Sequence, residues 1–185
     1  MEKPTIIIYL IGKPGVGKYT ISLELAKQYG FIICDNQLIN NPIFKLLQYD
    51  GYSIIPDIAW DSIAKIRTEI LNFLSKVPEN NYVMTNCLAD TEEDKAIYKQ
   101  VENMAKARES IFIPVKLSIS KEAHLKRLTR PERRNRWKSI DPKDAEDNDP
   151  LISITHPNLI ELEISNLKAE EVAKKIMERV RLYAL

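Results

Sequence analysis

The sequence predicts a three-layer α/β fold, in which a five-stranded parallel sheet carries helices on both faces. Five short runs of apolar and β-branched residues alternate with segments whose apolar residues recur every three or four positions. Continuous apolar runs are typical of parallel strands, because both of their faces are covered. The alternation predicts right-handed βαβ units. We expect residues 1–185 to form one domain, which is the usual organisation at this length.

The predicted strands are short apolar runs that end in polar or turn residues. Pro114 within the fourth run cannot donate a hydrogen bond to a neighbouring strand, so we expect a bulge there or a position near the sheet edge. The five runs lie at residues 5–11, 31–34, 82–88, 111–119 and 159–164.

The predicted helices show apolar residues at helical spacing. Gly30 is expected to end the first of them in the left-handed conformation, and Thr91 to cap another at its amino terminus. Residues 36–60 carry two prolines and a glycine, so we expect short helices and loops there, as an insertion above the sheet. The predicted helices span residues 18–29, 61–76, 121–129 and 169–182, and one more follows Thr91.

Composition limits the classes of protein that the chain can be. The net charge is +1, so no global field attracts nucleic acid or a membrane. The amino terminus is unlike a signal peptide, and no run approaches the ~20 apolar residues of a membrane helix. Cys34 and Cys87 are expected to be reduced and buried. We therefore expect a cytoplasmic monomer.

Residues 12–20 read GKPGVGKYT and have the spacing G-x-x-x-x-G-K of a phosphate-binding loop. The glycines allow a sharp turn that points backbone N–H groups inward, and the following helix adds the positive end of its dipole. The buried strand before this motif and the helix after it make a chance match improbable. We expect a nucleotide's phosphates to contact Gly12, Lys13, Pro14, Gly15, Val16, Gly17, Lys18, Tyr19 and Thr20.

Tyr19 stands where such loops usually carry a small hydroxyl that binds Mg²⁺. A tyrosine hydroxyl lies several ångströms further from the backbone and cannot take the same place. One interpretation is that Mg²⁺ is held through water and a carboxylate elsewhere, with Asp35 as the first candidate. The alternative is a site that binds nucleotide and turns it over poorly.

The loop, the acid that ends strand two and the basic helix before strand five resemble the small P-loop kinases of the shikimate kinase, adenylate kinase and gluconate kinase group. The resemblance covers nearly the whole chain in element order. The segment GKPGVGKYTISLELAKQYGF is most similar to uncharacterised bacterial kinase-like ATP-binding proteins. The resemblance implies a P-loop NTPase fold of the nucleoside monophosphate kinase type, with ATP and Mg²⁺ as cofactors.

The resemblance also implies roles for individual residues. Asp35 matches a position that serves metal or substrate in shikimate kinase, but that enzyme has two acids there, so we do not expect shikimate as the substrate. The segment 125–130 is similar to the lid entrance of adenylate kinase, which places Arg127 against the adenine and Arg130 at the phosphates. The implied catalytic residues are Lys18, Asp35 and Arg130, and the implied substrate-binding residues are Asp35, Asn36, Asn86, Arg133 and Arg134.

Charge is concentrated in the segment before the fifth strand. Residues 121–138 hold eight Lys and Arg against two Glu, and residues 141–149 hold five acids against one Lys. One interpretation is a solvated surface with compensating charges. Another is a mobile lid over residues 121–150, whose arginines close on the phosphates. An RNA-binding surface is disfavoured, since only Trp137 could stack on a base.

The histidines and the remaining aromatic residues give weaker indications of function. His124 is expected to be an exposed helix residue, and His156 to be structural rather than catalytic. The resemblance implies that Pro157 and Asn158 shape the nucleotide pocket. Tyr52 and Trp60 either line a substrate pocket or belong to the core, and both alternatives stay open.

The first hypothesis for function is an ATP-dependent phosphotransferase that acts on a small hydroxyl- or phosphate-bearing acceptor. Residues 36–60 and Asn86 would select that acceptor. The second hypothesis is a nucleotide-binding regulator or slow ATPase without a small acceptor, which Tyr19 and the single acid favour. An RNA-directed kinase is a third and weaker hypothesis.

Overall fold

The computed structural model describes residues 4–51, 53–128 and 149–183, and these form a parallel sheet with helices on both faces. The predicted fold class is thereby confirmed. The strands are β1 (Ile6–Ile11), β2 (Ile32–Cys34), β3 (Tyr82–Asn86), β4 (Ile111–Ser118) and β5 (Ile160–Glu163). The helices are α1 (Lys18–Tyr29), α2 (Asn36–Leu46), α3 (Asp57–Ser75), α4 (Glu92–Ala107), α5 (Lys121–Leu128) and α6 (Ala169–Tyr183).

The three layers follow from the alternation of side chains along β1. Ile8 and Leu10 pack with the apolar faces of α1 and α6. Ile7, Tyr9 and Ile11 point to the other side and pack with α3 and α4. Successive strand residues face opposite sides of a sheet, so a continuous apolar run is what a strand covered on both faces requires.

The strand order is β2-β3-β1-β4-β5, with every pair parallel. The order reverses at β1, because β3 lies on one side of it and β4 on the other. Ligands of open α/β sheets bind outside the carboxyl ends of the strands at such a point. The glycine-rich loop follows β1, so the topology places it there.

Pro114 causes no bulge. β4 pairs with β1 in unbroken register, with Tyr9 opposite Pro114, and it is one strand in from the edge. The carbonyl of Phe112 accepts a hydrogen bond from the Asn158 side chain, so the backbone groups of Phe112 point toward β5. Pro114 is two residues further along the strand, and its backbone groups therefore point to the same side. Pairing with β5 begins only at Val115, so the missing N–H of Pro114 leaves no ladder bond unmade.

Two helix ends match the expectation from sequence. Gly30 follows α1 with φ 73°, and its N–H donates to the carbonyl of Ala26. The Thr91 hydroxyl accepts from the N–H of Asp94 at 3.2 Å, which caps α4. The carboxylate of Asp94 accepts instead from the N–H of Ala89, so the reciprocal half of a capping box is replaced.

Residues 36–60 are more regular than expected. They hold the 11-residue helix α2, and α3 already begins at Asp57, four residues before the predicted start. Most of the charged segment, residues 129–148 with Arg130, Arg133, Arg134 and Trp137, lies outside the described residues, and so does Tyr52. Within the described part of the chain, the helices are too short or too polar to cross a membrane.

Candidate active site

The loop between β1 and α1, residues 12–17, has the backbone shape of an anion-binding cup. Gly15 and Gly17 have φ values of 86° and 112°, in the left-handed region that favours glycine. Gly12 has a different reason to be glycine, since a Cβ there would lie 2.9 Å from Val16 Cγ1 and 3.0 Å from the Leu117 carbonyl. The N–H of Gly12 donates to the Asn86 carbonyl at 3.2 Å, which fixes the base of the loop to β3.

Lys18, the first residue of α1, folds its side chain back over the loop. Its Nζ donates to the carbonyl of Gly12 and, at 3.0 Å, to that of Lys13. Gly17 caps α1 without a side-chain hydrogen bond, so no capping side chain covers the first N–H groups of the helix. The cup therefore combines an ammonium group with the positive end of a helix dipole.

Helix α5 supports the loop from behind, and His124 is part of that support. His124 is 4% exposed, and its Nε2 forms a hydrogen bond with the Pro14 carbonyl. Leu128, one turn further on, packs against Gly15. The expectation that His124 is exposed was therefore wrong. Its i, i+4 spacing from Leu128 is the sequence signal that could have indicated a buried face.

Arg127 joins the loop to the segment after β5. Its Nη1 donates to the Val16 carbonyl at 2.7 Å, and its Nη2 donates to the Ile164 carbonyl at 3.0 Å. The guanidinium also lines the cavity beside the loop. A contact between Arg127 and an adenine stays a prediction, and the structure adds a role in positioning the loop.

A cavity of about 1100 Å³ opens at the carboxyl edge of the sheet. It contains the mouth of the loop, the end of β2, the end of β3 and the start of α6. Gly12 is buried under the loop, and Lys13 lies beside the cavity rather than in its lining. The predicted residues that line it are Pro14, Gly15, Val16, Gly17, Lys18, Tyr19, Thr20, Asp35, Asn36, Asn86 and Arg127.

Asp35 lies at the carboxyl end of β2 and is 6% exposed. Its Oδ1 accepts from the N–H of Leu38 at 3.0 Å, so this carboxylate caps α2. The N–H of the next residue, Asn36, donates to the Thr85 hydroxyl at 3.1 Å and ties the start of α2 to β3. The cap and this tie hold a carboxylate in the wall of the cavity that the loop faces.

The side chain of Asn86 forms hydrogen bonds within the protein. Its Nδ2 lies 3.3 Å from the Tyr9 hydroxyl, and its Oδ1 accepts from the N–H of Cys87 at 2.9 Å. Burial raises the pKa of Tyr9, so this hydroxyl stays protonated at neutral pH. Asn86 thus fixes the turn after β3, and the substrate contact predicted for it stays a prediction.

The two cysteines differ in environment. Cys34 is buried, and desolvation raises the pKa of its thiol to about 11. Cys87 is exposed and lines the cavity next to Asn86. The expectation that both thiols are buried was therefore wrong for Cys87, because β3 ends at Asn86 and the chain turns out of the sheet before it.

The segment after β5, not the one before it, reaches the cavity. Asn158 donates to the carbonyl of Phe112 at 3.0 Å, near the amino end of β4, so Pro157 and Asn158 lie at the opposite edge of the sheet from the loop. The expectation that they shape the nucleotide pocket was wrong. On this side of the cavity, the residues that sequence reasoning missed are Ile164, Leu167, Lys168, Ala169 and Val172.

His156 lies at the same opposite edge. Its ring packs edge-on against Phe112, with centroids 5.4 Å apart, and its Nδ1 accepts from the N–H of Asn158. Desolvation lowers the pKa of His156, which favours the neutral ring that this acceptor role needs. The position is remote from the cavity and agrees with the structural role expected for it.

Solved structures of several kinases resemble this chain over nearly its whole length. A sugar kinase from Janibacter sp. HTCC2649 has a TM-score of 0.63 at 12% identity, with 98% of this chain and 97% of that chain covered. Shikimate kinase from Acinetobacter baumannii, solved with shikimate, has a TM-score of 0.60 at 22% identity, with 99% and 96% covered. The APS kinase of Mycobacterium tuberculosis, solved with AMPPNP and APS, gives 0.58 at 13%, with 97% and 99% covered.

No protein-family model matches the sequence, and no curated protein matches it. At these identities the structural likeness shows the fold. The chain has the fold of the small P-loop kinases, a three-layer α/β P-loop NTPase fold of the nucleoside monophosphate kinase type. The fold that the resemblance implied is therefore confirmed.

Substituting Gly15 is expected to harm the loop more than substituting Gly30. Both residues have left-handed φ, 86° and 73°, so alanine costs a similar backbone strain of about 1–2 kcal/mol at each. A Cβ on Gly15 would also lie 2.8 Å from Leu128 Cδ2, whereas one on Gly30 meets nothing within 4 Å. We expect Gly15→Ala to weaken ATP binding by about tenfold or more, and Gly30→Ala to leave it unchanged. Calorimetric titration with ATP and urea unfolding measure both effects, and equal ATP affinity in the two variants would contradict this account of the loop.

Proposed function

We propose that this protein is an ATP-dependent phosphotransferase that transfers the γ-phosphoryl group to a small hydroxyl- or phosphate-bearing acceptor. One observation carries the proposal: the phosphate-binding loop and the carboxylate of Asp35 open into the same cavity. A phosphate cup alone is compatible with any nucleotide-binding protein. A buried carboxylate facing the same space is what transfer to a hydroxyl requires in addition.

The sheet order gives the cavity two ends. The loop follows the central strand β1, Asp35 lies beyond β3 on one side, and the segment after β5 lies on the other. The proposal places the adenine base of ATP between Arg127, Leu167 and Val172. These residues offer apolar surface and a guanidinium group. The transferred phosphoryl group then points toward Asp35, and the acceptor occupies the half of the cavity beside α2.

The proposed reaction needs little covalent chemistry from the protein. The bond between the γ-phosphorus and the β–γ bridging oxygen breaks, a bond between that phosphorus and the acceptor oxygen forms, and ADP leaves. Asp35 orients the acceptor hydroxyl and accepts its proton. Lys18 exchanges its loop carbonyls for phosphate oxygens and balances the charge that develops during transfer.

The described residues fit Mg²⁺ held mainly by phosphates and water. The described ranges contain no group of three or more His, Cys, Asp or Glu side chains that could cage a metal ion. Mg²⁺ commonly needs only one or two carboxylates when substrate phosphates supply further oxygens. As an alternative to its role as proton acceptor, Asp35 would hold the ion through water, and the ion would neutralise charge on the transferred group. Tyr19 lines the cavity at the position where such loops usually carry the small hydroxyl that binds Mg²⁺.

The proposal keeps the predicted lid and the single domain. Helix α5 supports the loop, so the proposed lid is the rest of this segment, residues 129–150, which would close over the bound nucleotide. Arg130, Arg133 and Arg134 would contact the phosphates, the last two on the acceptor side. The charge of the segment supports this part of the proposal, since phosphoryl transfer depends on positioning and on charge stabilisation.

Product analysis tests the proposed function. The protein is incubated with ATP, Mg²⁺ and a pool of small metabolites, and mass spectrometry identifies any compound that gains a phosphoryl group, with Lys18→Ala as the control. We expect a new phosphorylated metabolite that the control does not form. Free phosphate as the sole product would favour a slow ATPase or regulator, which the presence of Tyr19 in the cavity wall supports.

A further inference from the structure

The half of the cavity beside α2 has a wall of aromatic rings, here called the aromatic wall: Phe44, Tyr49 and Trp60. The ring centroids of Phe44 and Tyr49 are 5.1 Å apart, and those of Phe44 and Trp60 are 5.8 Å apart in an edge-on arrangement. All three rings line the cavity, and Ile55 lies beside them. This wall is built by α2, by the start of α3 and by the connection between them.

Trp60 is 44% exposed although it is among the largest apolar side chains of the chain. It lies in the first turn of α3, one turn before the fully buried Ile63, and its ring meets Phe44, which packs with Ile63. A tryptophan packed only to stabilise the fold would be expected to lose most of its exposed surface, as Tyr9 does at 1%. The exposed ring therefore presents apolar surface to the cavity, as aromatic residues at binding sites do.

Asn40 gives an independent indication of a ligand in the same half. It lies one turn before Phe44 on α2, is 4% exposed and lines the cavity. Its Oδ1 is buried and has no hydrogen-bond partner among the residues that the structure describes. A buried polar atom without a partner is costly, so this oxygen is suited to accept a hydrogen bond from a bound molecule.

The charges in the cavity favour a neutral ligand in this half. Among the described residues, the cations that line the cavity are Lys18, Arg127 and Lys168. Lys18 belongs to the loop, and the other two lie toward β5 and α6. The described part of the acceptor half carries one charged side chain, the carboxylate of Asp35, which disfavours an anion there.

We propose that the acceptor is a neutral alcohol that carries a planar ring, with the ring against the aromatic wall and a donor group on Asn40 Oδ1. This inference rests on the proposed phosphotransferase function and adds the substrate class. The transferred phosphoryl group forms its new bond with the hydroxyl oxygen that Asp35 orients, and the hydroxyl proton passes to Asp35. Aryl alcohols and nucleosides share this chemistry, and open-chain polyols do not.

A panel of acceptors tests the substrate class. The full chain is assayed with ATP and Mg²⁺ against tyrosol in one arm, adenosine and thymidine in a second, and sorbitol and gluconate in a third. We expect kcat/KM in one of the ring-bearing arms to exceed the third arm by about tenfold or more, as stacking on aromatic side chains implies. Transfer only to sorbitol or gluconate overturns the ring-alcohol inference and leaves the phosphotransferase proposal standing. No transfer to any compound overturns the inference, and if free phosphate is the sole product it opposes the proposed function as well.

Variants of the aromatic wall test the contact with the ring. For the best ring-bearing acceptor, Trp60→Ala should raise KM by about fivefold or more, and Trp60→Phe should restore most of the loss. Phe73→Ala is the matched control, because Phe73 is 62% exposed on the same helix and lies outside the cavity lining. An equal effect of Trp60→Ala and Phe73→Ala on KM contradicts the wall as a binding surface.

The variant Asn40→Leu distinguishes a role of Asn40 in ligand binding from a role in stability. The substitution removes a buried acceptor that lacks a partner, so thermal stability should be unchanged or raised. KM for the ring-bearing acceptor should rise by about threefold or more, because one hydrogen bond to the ligand is lost. A fall in stability with unchanged KM would overturn the assignment of Asn40 to the ligand.

Discussion

Lys18→Ala is expected to lower kcat/KM for ATP by about 100-fold or more while the fold is retained. Loss of one preorganised group that meets developing charge typically costs that much. Lys18 is also the side chain whose Nζ reaches over the loop to the carbonyls of Gly12 and Lys13, so its charge lies directly at the proposed phosphate site. Steady-state kinetics and calorimetric titration with ATP measure the effect.

Lys27→Ala is the matched control for Lys18→Ala. Lys27 lies on the same helix, in its last turn, and is exposed away from the cavity. Its substitution removes the same charge from the same element and should leave ATP binding and turnover within about twofold, as expected for a surface charge. Unchanged kinetics in Lys18→Ala would remove the loop from the mechanism.

Asp35→Asn is expected to lower turnover by about 100-fold or more without loss of stability. The carboxylate is the proposed acceptor of the hydroxyl proton, and removal of a general base commonly costs that much. Asparagine is as good an amino-terminal cap as aspartate, so the hydrogen bond from the N–H of Leu38 is retained. Turnover with the identified acceptor and urea unfolding together separate the chemical role of Asp35 from its cap.

Two further variants serve as comparisons for Asp35→Asn. Asp35→Ala removes the cap as well as the charge and should destabilise the protein by about 0.5–2 kcal/mol. Asp57→Asn neutralises an exposed acid in the first turn of the neighbouring helix α3 and should leave turnover unchanged. If Asp35→Asn keeps full activity, the carboxylate takes no part in transfer, and the proposed acceptor side of the cavity loses its chemical basis.

The fold was predictable because its determinants are local. Apolar runs of four to eight residues between amphipathic segments indicate strands of a parallel sheet without any knowledge of tertiary contacts. Gly30 and Thr91 mark helix ends by their own backbone and side-chain preferences, and both lie where the sequence placed them. The loop motif was equally predictable from the sequence, because glycine is the residue that readily adopts the positive φ found at Gly15 and Gly17.

The rest of the site depends on contacts between distant segments. His124 meets the loop 110 residues earlier in the chain, and Arg127 joins Val16 to Ile164. No local pattern specifies such pairs, because the crossovers between the strands bring them together. Pro157 and Asn158 were predicted as pocket residues because the sequence does not show which end of β5 meets the cavity.

A crystal structure with a non-hydrolysable ATP analogue and Mg²⁺ tests the central claim most directly. The account predicts that the phosphates lie in the loop, within hydrogen-bond reach of its N–H groups, and that Lys18 Nζ leaves the carbonyls of Gly12 and Lys13 to contact them. It also predicts that the adenine base lies near Leu167. Asp35 is predicted to lie on the other side, next to the terminal phosphate. A nucleotide bound away from the loop, or a loop that stays closed by Lys18 at saturating analogue, would contradict the account.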